Sequence, residues 1–135
     1  MSAYFEWLDT FSVNVPSVDE DHKVLIALVN EVVTGIQEHR GRAIMNDALS
    51  RLIEYTGYHF DREERVMEQH RFPELEAHRA QHNSLIRQVL RFQRLYRANE
   101  LEPVELGEFL IDWLTTHILH EDMKLGLHIA RQSVA

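Results

Sequence analysis

No cysteine occurs among the 135 residues, which excludes disulfides, thiolate zinc sites and iron–sulfur clusters. Basic residues are scarce: 14 Lys and Arg stand against 22 Asp and Glu, for a formal net charge of −8. Binding to phosphate needs a basic patch, so neither a nucleic acid nor an anionic membrane surface is expected as a partner. No apolar run approaches the roughly 20 residues of a membrane span. The first 17 residues contain no basic segment followed by an apolar one, so they do not read as a signal peptide. A cytoplasmic location is the expectation. No stretch alternates as a strand does, and there is no linker, low-complexity tract or short repeat. What the chain has is 44% apolar residues and nine histidines. That length and apolar content fit one domain with a sizeable core.

Residues 1–16 read as an extended arm rich in aromatics (Tyr4, Phe5, Trp7, Phe11) that ends at Pro16. Aromatics of that number are expected to pack on the body, with Trp7 and Phe11 capping one end. The remainder, 17–135, reads as helices. Ser17 followed by Glu20 has the form of a capping box opening the first. Val18, His22, Leu25, Val29, Val32 and Ile36 then step by three and four, and Gly41 closes the segment. A second helix over about 42–69 aligns Leu49, Leu52, Thr56, His59, Glu63 and Val66. Gly57 inside it costs roughly 1 kcal/mol relative to Ala, a cost that close packing would explain. Phe72-Pro73 belongs to a connector, with Pro73 suited to the first turn of the third helix. That helix carries Leu75, His78, His82, Leu85, Val89, Phe92 and Tyr96. Pro103 starts the fourth, which turns Leu106, Leu110, Trp113 and His117 inward and continues to about Ala130. Four long helices with short connectors predict an all-α, antiparallel up-down-up-down four-helix bundle behind an extended N-terminal arm.

Five histidines fall on these core stripes: His22, His59, His78, His82 and His117. A single histidine on an apolar face is usually a satisfied core residue. Five together, with Glu63 on the same stripe, each need a partner if buried. A buried carboxylate also needs a cation or a proton. A metal cluster meets all these needs at once, and the number of ligands fits two ions better than one. His59 with Glu63, and His78 with His82, stand four apart, one turn along one face, so both members of a pair reach the same ion or a close pair. Imidazole with carboxylate suits iron, zinc or manganese. The zincin string H-E-x-x-H is absent. No histidine has Glu three residues before it, so the Glu-x-x-His di-iron proteins are disfavoured. After His117, spacing alone does not choose the carboxylate. Glu121 is four residues on and near the same face, while Asp122 is five on and about 140° around an ideal helix.

In this order, an isolated histidine at His22, H-x-x-x-E at His59–Glu63, H-x-x-x-H at His78–His82 and H-x-x-x-x-D at His117–Asp122 resemble the hemerythrin family, specifically its single-domain bacterial members. The likeness spans essentially the whole chain, the aromatic arm and the Phe72-Pro73 connector included. It implies a non-haem di-iron centre with an oxo or hydroxo bridge and dioxygen as ligand. By resemblance, His78, His82 and His117 hold one iron, His22 and His59 the other, and Glu63 and Asp122 bridge them. The second iron is then one ligand short, and dioxygen takes that position. The residues at the pocket positions are Leu25, Phe60 and Leu114, all apolar, as a sealed pocket requires. Each is equally an ordinary core residue.

The function expected is reversible dioxygen binding for storage, delivery or sensing. A chain ending at Ala135 favours storage or delivery, with an oxygen-consuming enzyme as a possible partner. The alternative is a di-iron enzyme or scavenger acting on peroxide, dioxygen or nitric oxide. Turnover wants a proton donor at the open iron. Leu25, Phe60 and Leu114 offer none, so the protein is not expected to be an enzyme. His39 and His70 are expected to be exposed near helix ends, and His128 to lie in the C-terminal fray. His120 is a candidate for contact with a metal ligand. The charged runs around Asp21 and around Asp61–Arg65 are expected to coat solvated faces.

Overall fold

The computed structural model describes residues 6–134, with the side chains of residues 118–120 and 133–134 outside the description. Tyr4 and Phe5 therefore lie outside the described residues, as does the side chain of His120. The described residues are all helical or irregular: α1 (Pro16–Gln37), α2 (Arg42–Gln69), α3 (Leu75–Arg97), α4 (Pro103–Thr115) and α5 (Met123–Val134). Between α4 and α5 the chain stays helical as one π-helical segment, Thr116–Asp122. α1 packs on α2 and α4, and α3 packs on α2 and α4, so each long helix has two neighbours around a shared core. The short connectors make successive helices antiparallel, and the architecture is the four-helix bundle expected.

The stripes fall where their periodicity put them. Val18, Val29, Val32, Leu49, Leu52, Val89, Tyr96, Leu106 and Leu110 are buried in the interior. A smaller cluster of Met67, Phe72, Leu125 and Ile129 ties the end of α2 to α5.

Several local expectations are corrected. α1 starts at Pro16, not Ser17, and Ser17 makes no capping box: the residue before the helix is Val15, with no side-chain cap. Asp19 serves instead, accepting hydrogen bonds from the Val13 N–H (2.8 Å) and the Ser12 hydroxyl (2.6 Å) and so tying the arm to the first turn. Nor is the arm purely extended, since Asp9–Phe11 form a 3-10 turn. Its packing is as expected: Phe11 and Val13 are buried, and the Trp7 ring meets Phe11 edge-on at 5.8 Å. Val13 passes so close to α5 that a Cβ on Gly126 would sit 3.0 Å from its backbone.

Gly41 does not close α1. The reversal runs through His39 (φ 54°), and the next two helix ends through Arg71 (φ 53°) and Asn99 (φ 62°). After each, the following N–H reaches back five residues: Arg40 to Gly35, Phe72 to Met67 and Glu100 to Leu95, at 3.0, 2.9 and 2.8 Å. That is the Schellman ending, built without its usual glycine. Pro73 lies in the turn, two residues before α3, rather than in the helix.

Gly57 packs against nothing: it is exposed, and a Cβ there would meet no atom within 4 Å. Its cost is therefore uncompensated. Gly57→Ala should raise stability by about 1 kcal/mol and the melting temperature by about 4 °C, read by thermal unfolding. An unchanged or lower melting temperature would contradict this.

Candidate metal centre

α1 contributes His22, α2 contributes His59 and Glu63, and α3 contributes His78 and His82. The π segment contributes His117 and Asp122. All seven are buried, and the structure brings all seven together. One ligand atom from each of His22, His59, Glu63, His117 and Asp122 lies within 4.8 Å of every other, and the same holds for His78, His82, His117 and Asp122.

The carboxylates stand between two sets of imidazoles. Glu63 turns Oε2 to His22 (3.4 Å) and His59 (3.2 Å), and Oε1 to His78 (3.1 Å) and His82 (3.0 Å). Asp122 turns Oδ1 to His78 (2.9 Å) and Oδ2 to His22 (2.7 Å) and His117 (2.8 Å). His117 belongs to both groups, and its Nε2 is nearer the Asp122 oxygen that also faces His22 than it is to Glu63 (3.9 Å).

These residues fit metal ions better than they fit one another. Glu63 Oε2, Asp122 Oδ2 and His117 Nε2 are buried without an aligned hydrogen-bond partner, although the ion-pair distances above are short. Their lone pairs face common space rather than donors. Nε2 of His22 and Nε2 of His59 stand 3.1 Å apart. Two donors at right angles about 2.1 Å from one ion would be about 3 Å apart.

The π segment determines which carboxylate after His117 faces the cluster. An i→i+5 turn brings the fifth residue, not the fourth, onto the starting face. Asp122 thus faces the site with none of its carboxylate exposed. Glu121, its side chain 20% exposed, instead pairs with Lys124 at 3.5 Å and lines a cleft with Gln81, Ser84, Thr116 and His117. A helical wheel assumes 3.6 residues per turn, so sequence periodicity pointed to Glu121, whereas the residue that faces the cluster is Asp122.

Around the cluster, sequence reasoning missed the groups that hold the outer ring nitrogens. Asp21 was expected on a solvated face but is buried, its Oδ2 3.2 Å from His59 Nδ1. Tyr55 donates its hydroxyl to Asp21 Oδ1 at 2.8 Å, and Arg62 Nε lies 3.3 Å from Oδ2. Glu64, from the other run expected to be solvated, meets His82 Nδ1 at 2.7 Å and Arg79 at 3.2 Å. Adjacency to the clustered residues was the available signal: Asp21 precedes His22, and Glu64 follows Glu63. The outer nitrogens of His22 and His117 have no partner among the described residues. His70 and His128 are half-buried rather than exposed or frayed: the His70 carbonyl accepts from His128 Nε2 at 2.9 Å, linking α2 to α5. His39 is exposed, as expected.

Without metal, burial opposes charge on every one of these groups, and their mutual contacts decide the outcome. Burial opposes charging His78, but hydrogen bonds to Asp122 and Glu63 push its pKa up to about 10. His22 is raised against burial by Asp122 and Glu63, and His59 is raised well above its ordinary value by Glu63, Asp122 and Asp21. Burial likewise opposes charge on Glu63 and Asp122, yet the surrounding imidazoles hold both below the usual carboxylate range. On His117 burial prevails, and its pKa falls despite Asp122.

A four-helix bundle with imidazoles and two shared carboxylates at its centre defines a di-metal class of site. The family model of the hemerythrin HHE cation-binding domain matches residues 13–126, and the chain belongs to that family. Bacteriohemerythrin of Methylococcus capsulatus (strain Bath) is 31% identical over 121 residues, 86% of this chain and 88% of its own. Bacteriohemerythrin of Stenotrophomonas maltophilia (strain R551-3) is 28% identical over 120 residues, 89% and 78% of the two chains. The crystal structure of wild-type hemerythrin superposes with a TM-score of 0.85 at 28% identity, covering 95% of this chain and 99% of that one. Among the described residues no helix is long and apolar enough to cross a membrane.

Proposed function

We infer that the protein binds dioxygen reversibly at a non-haem di-iron centre held by the seven clustered side chains. The observation that carries this is the placement of the carboxylates: Glu63 has one oxygen toward His22 and His59 and the other toward His78 and His82, and Asp122 has one toward His78 and the other toward His22 and His117. In this reading His78, His82 and His117 would hold one ion and His22 and His59 the other, and Glu63 and Asp122 would serve both. Imidazole and carboxylate donors suit iron. When bound, the iron pair supplies the electrons that reduce dioxygen and recovers them on release.

The chain's own contribution is donors and dryness. Phe60 lies flat on His82, ring centroids 3.8 Å apart and 1° from parallel, and its ring is 4.8 Å from His117. Leu25 and Leu114 are fully buried in the same apolar cluster as Phe60 and Trp113. Together these side chains exclude the water and protons that would drive irreversible oxidation. Leu25, Phe60 and Leu114 carry no proton donor, which favours binding over turnover. Storage, delivery to an oxygen-consuming enzyme, or sensing are the uses such a site serves.

Two substitutions test the assignment. His59→Ala should hold less than two irons per chain and lose oxygen binding while keeping the helical content. Normal oxygen binding would remove His59 from the ligand set. Leu114→Ala should retain both irons but autoxidise faster, by about tenfold for a barrier lowered by about 1.4 kcal/mol. An unchanged rate, followed by the decay of the visible bands in air, would show that Leu114 does not guard the pocket.

A further inference from the structure

The outer nitrogens of the clustered histidines are not held alike. His82 meets Glu64, whose side chain is 23% exposed. His59 meets Asp21, whose side chain is only 4% exposed. Asp21 is also shared: inside it faces His59, and outside it takes the Tyr55 hydroxyl on one oxygen and the Arg62 Nε on the other. The outer pair reaches a surface groove between α1 and α2 lined by Val24, Leu28, Tyr55, Tyr58 and Arg62, where the Arg62 guanidinium lies 4.7 Å over the Tyr58 ring. A carboxylate bonded to the outer ring nitrogen makes an imidazole a stronger donor to its metal. Donors on the far side of that carboxylate draw its charge away and weaken the effect, because the bonds of one network polarise one another.

We propose that Asp21 is a positioning residue that strengthens His59 as an iron ligand, and that Tyr55 and Arg62 limit its strength from the groove side. The proposal rests on the di-iron reading and adds a setting of the centre's reduction potential from outside the ligand set. Removing Asp21's charge and removing its outer donors should then act in opposite directions. A stronger His59 favours the ferric ion, so the potential falls and autoxidation quickens. A weaker His59 does the reverse. A purely structural role would give no opposed signs, since each of these substitutions weakens a polar contact in the same network.

The test compares the parent protein with Asp21→Asn, Tyr55→Phe and Arg62→Ala. Each iron-loaded protein is assayed for iron per chain and titrated anaerobically for its midpoint potential. Each metal-free protein is titrated with zinc against a chelator. The expected result is a raised potential and zinc affinity about 10- to 100-fold weaker in Asp21→Asn. Tyr55→Phe and Arg62→Ala should lower the potential without weakening zinc binding. Shifts of the same sign in all three, or none, would overturn the proposal. If Asp21→Asn does not fold, the other two decide it: a downward shift supports, an upward or absent shift overturns. A parent that takes up no iron pair would instead refute the di-iron reading. The zinc titrations would still order the three variants and decide the role of Asp21.

Discussion

Asp122→Ala is expected to lose the iron pair and every oxygen-dependent visible band, whereas Glu121→Ala keeps both. The two carboxylates are neighbours in sequence, and an ideal α-helix would aim the first at the site. The π segment reverses that. Asp122 lies within 2.9 Å of nitrogens from three histidines on α1, α3 and its own segment, while Glu121 pairs with Lys124 at the surface. Removing Asp122 takes away a carboxylate shared by His22, His78 and His117, so iron per chain should fall from two to one or fewer. Without metal it also leaves raised-pKa imidazoles facing an uncompensated interior, which is strongly destabilising. Iron analysis and visible spectra of the two variants decide the matter. Loss of the bands in Glu121→Ala with retention in Asp122→Ala would show that the turn is α-helical in the working protein.

Loading the metal-free protein with ferrous iron near pH 7 is expected to release protons, because metal ligands must be deprotonated. Three buried carboxylates, Asp21, Glu63 and Asp122, all have lowered pKa values. Three imidazoles, His22, His59 and His78, have raised ones and balance that charge until metal displaces their protons. The same shifts fix how the metal-free protein responds to pH. His78 is raised from an ordinary value near 6.5 to about 10, so its contribution is complete below about pH 6.5 and is lost as pH climbs to about 10. His22 and His59 act in the same direction. Glu63 and Asp122 are lowered, so their contribution is present above their ordinary values near 4 and is lost as the solution is acidified further. Stability without metal should therefore peak between about pH 5 and 6.5 and fall markedly by pH 9.5. Iron should abolish the alkaline loss, since bound ions need the imidazoles neutral. Proton release in weak buffer and thermal unfolding at pH 6 and 9.5 measure both effects. No proton release, or flat stability across that range without metal, would contradict the charge balance.

Much of this was legible in the chain because burial imposes period. The stripes through His22, His59, His78, His82 and His117 follow the helical repeat, and a polar residue on such a stripe must find a partner inside. The limits were local. Asp122 departed from the stripe because the backbone widens at Thr116–Asp122, and a fixed 3.6-residue wheel has no means of showing that. His39, Arg71 and Asn99 end their helices in a conformation that glycine usually marks, so the expected closure at Gly41 was misplaced. Asp21 and Glu64 were hidden inside charged runs that read as solvated. Only their neighbours' positions in space reveal that each turns toward a ring nitrogen.

The central claim is reversible oxygen binding at an iron pair held by these seven residues. It is tested most directly by the visible spectrum of the iron-loaded protein, reduced without air, exposed to oxygen and then deoxygenated. Two irons per chain and a nearly colourless reduced form are expected. Charge-transfer bands should appear in oxygen and disappear when it is removed, over repeated cycles. A one-way passage to a ferric spectrum would contradict reversible binding, and no iron-dependent band at all would contradict the metal centre itself.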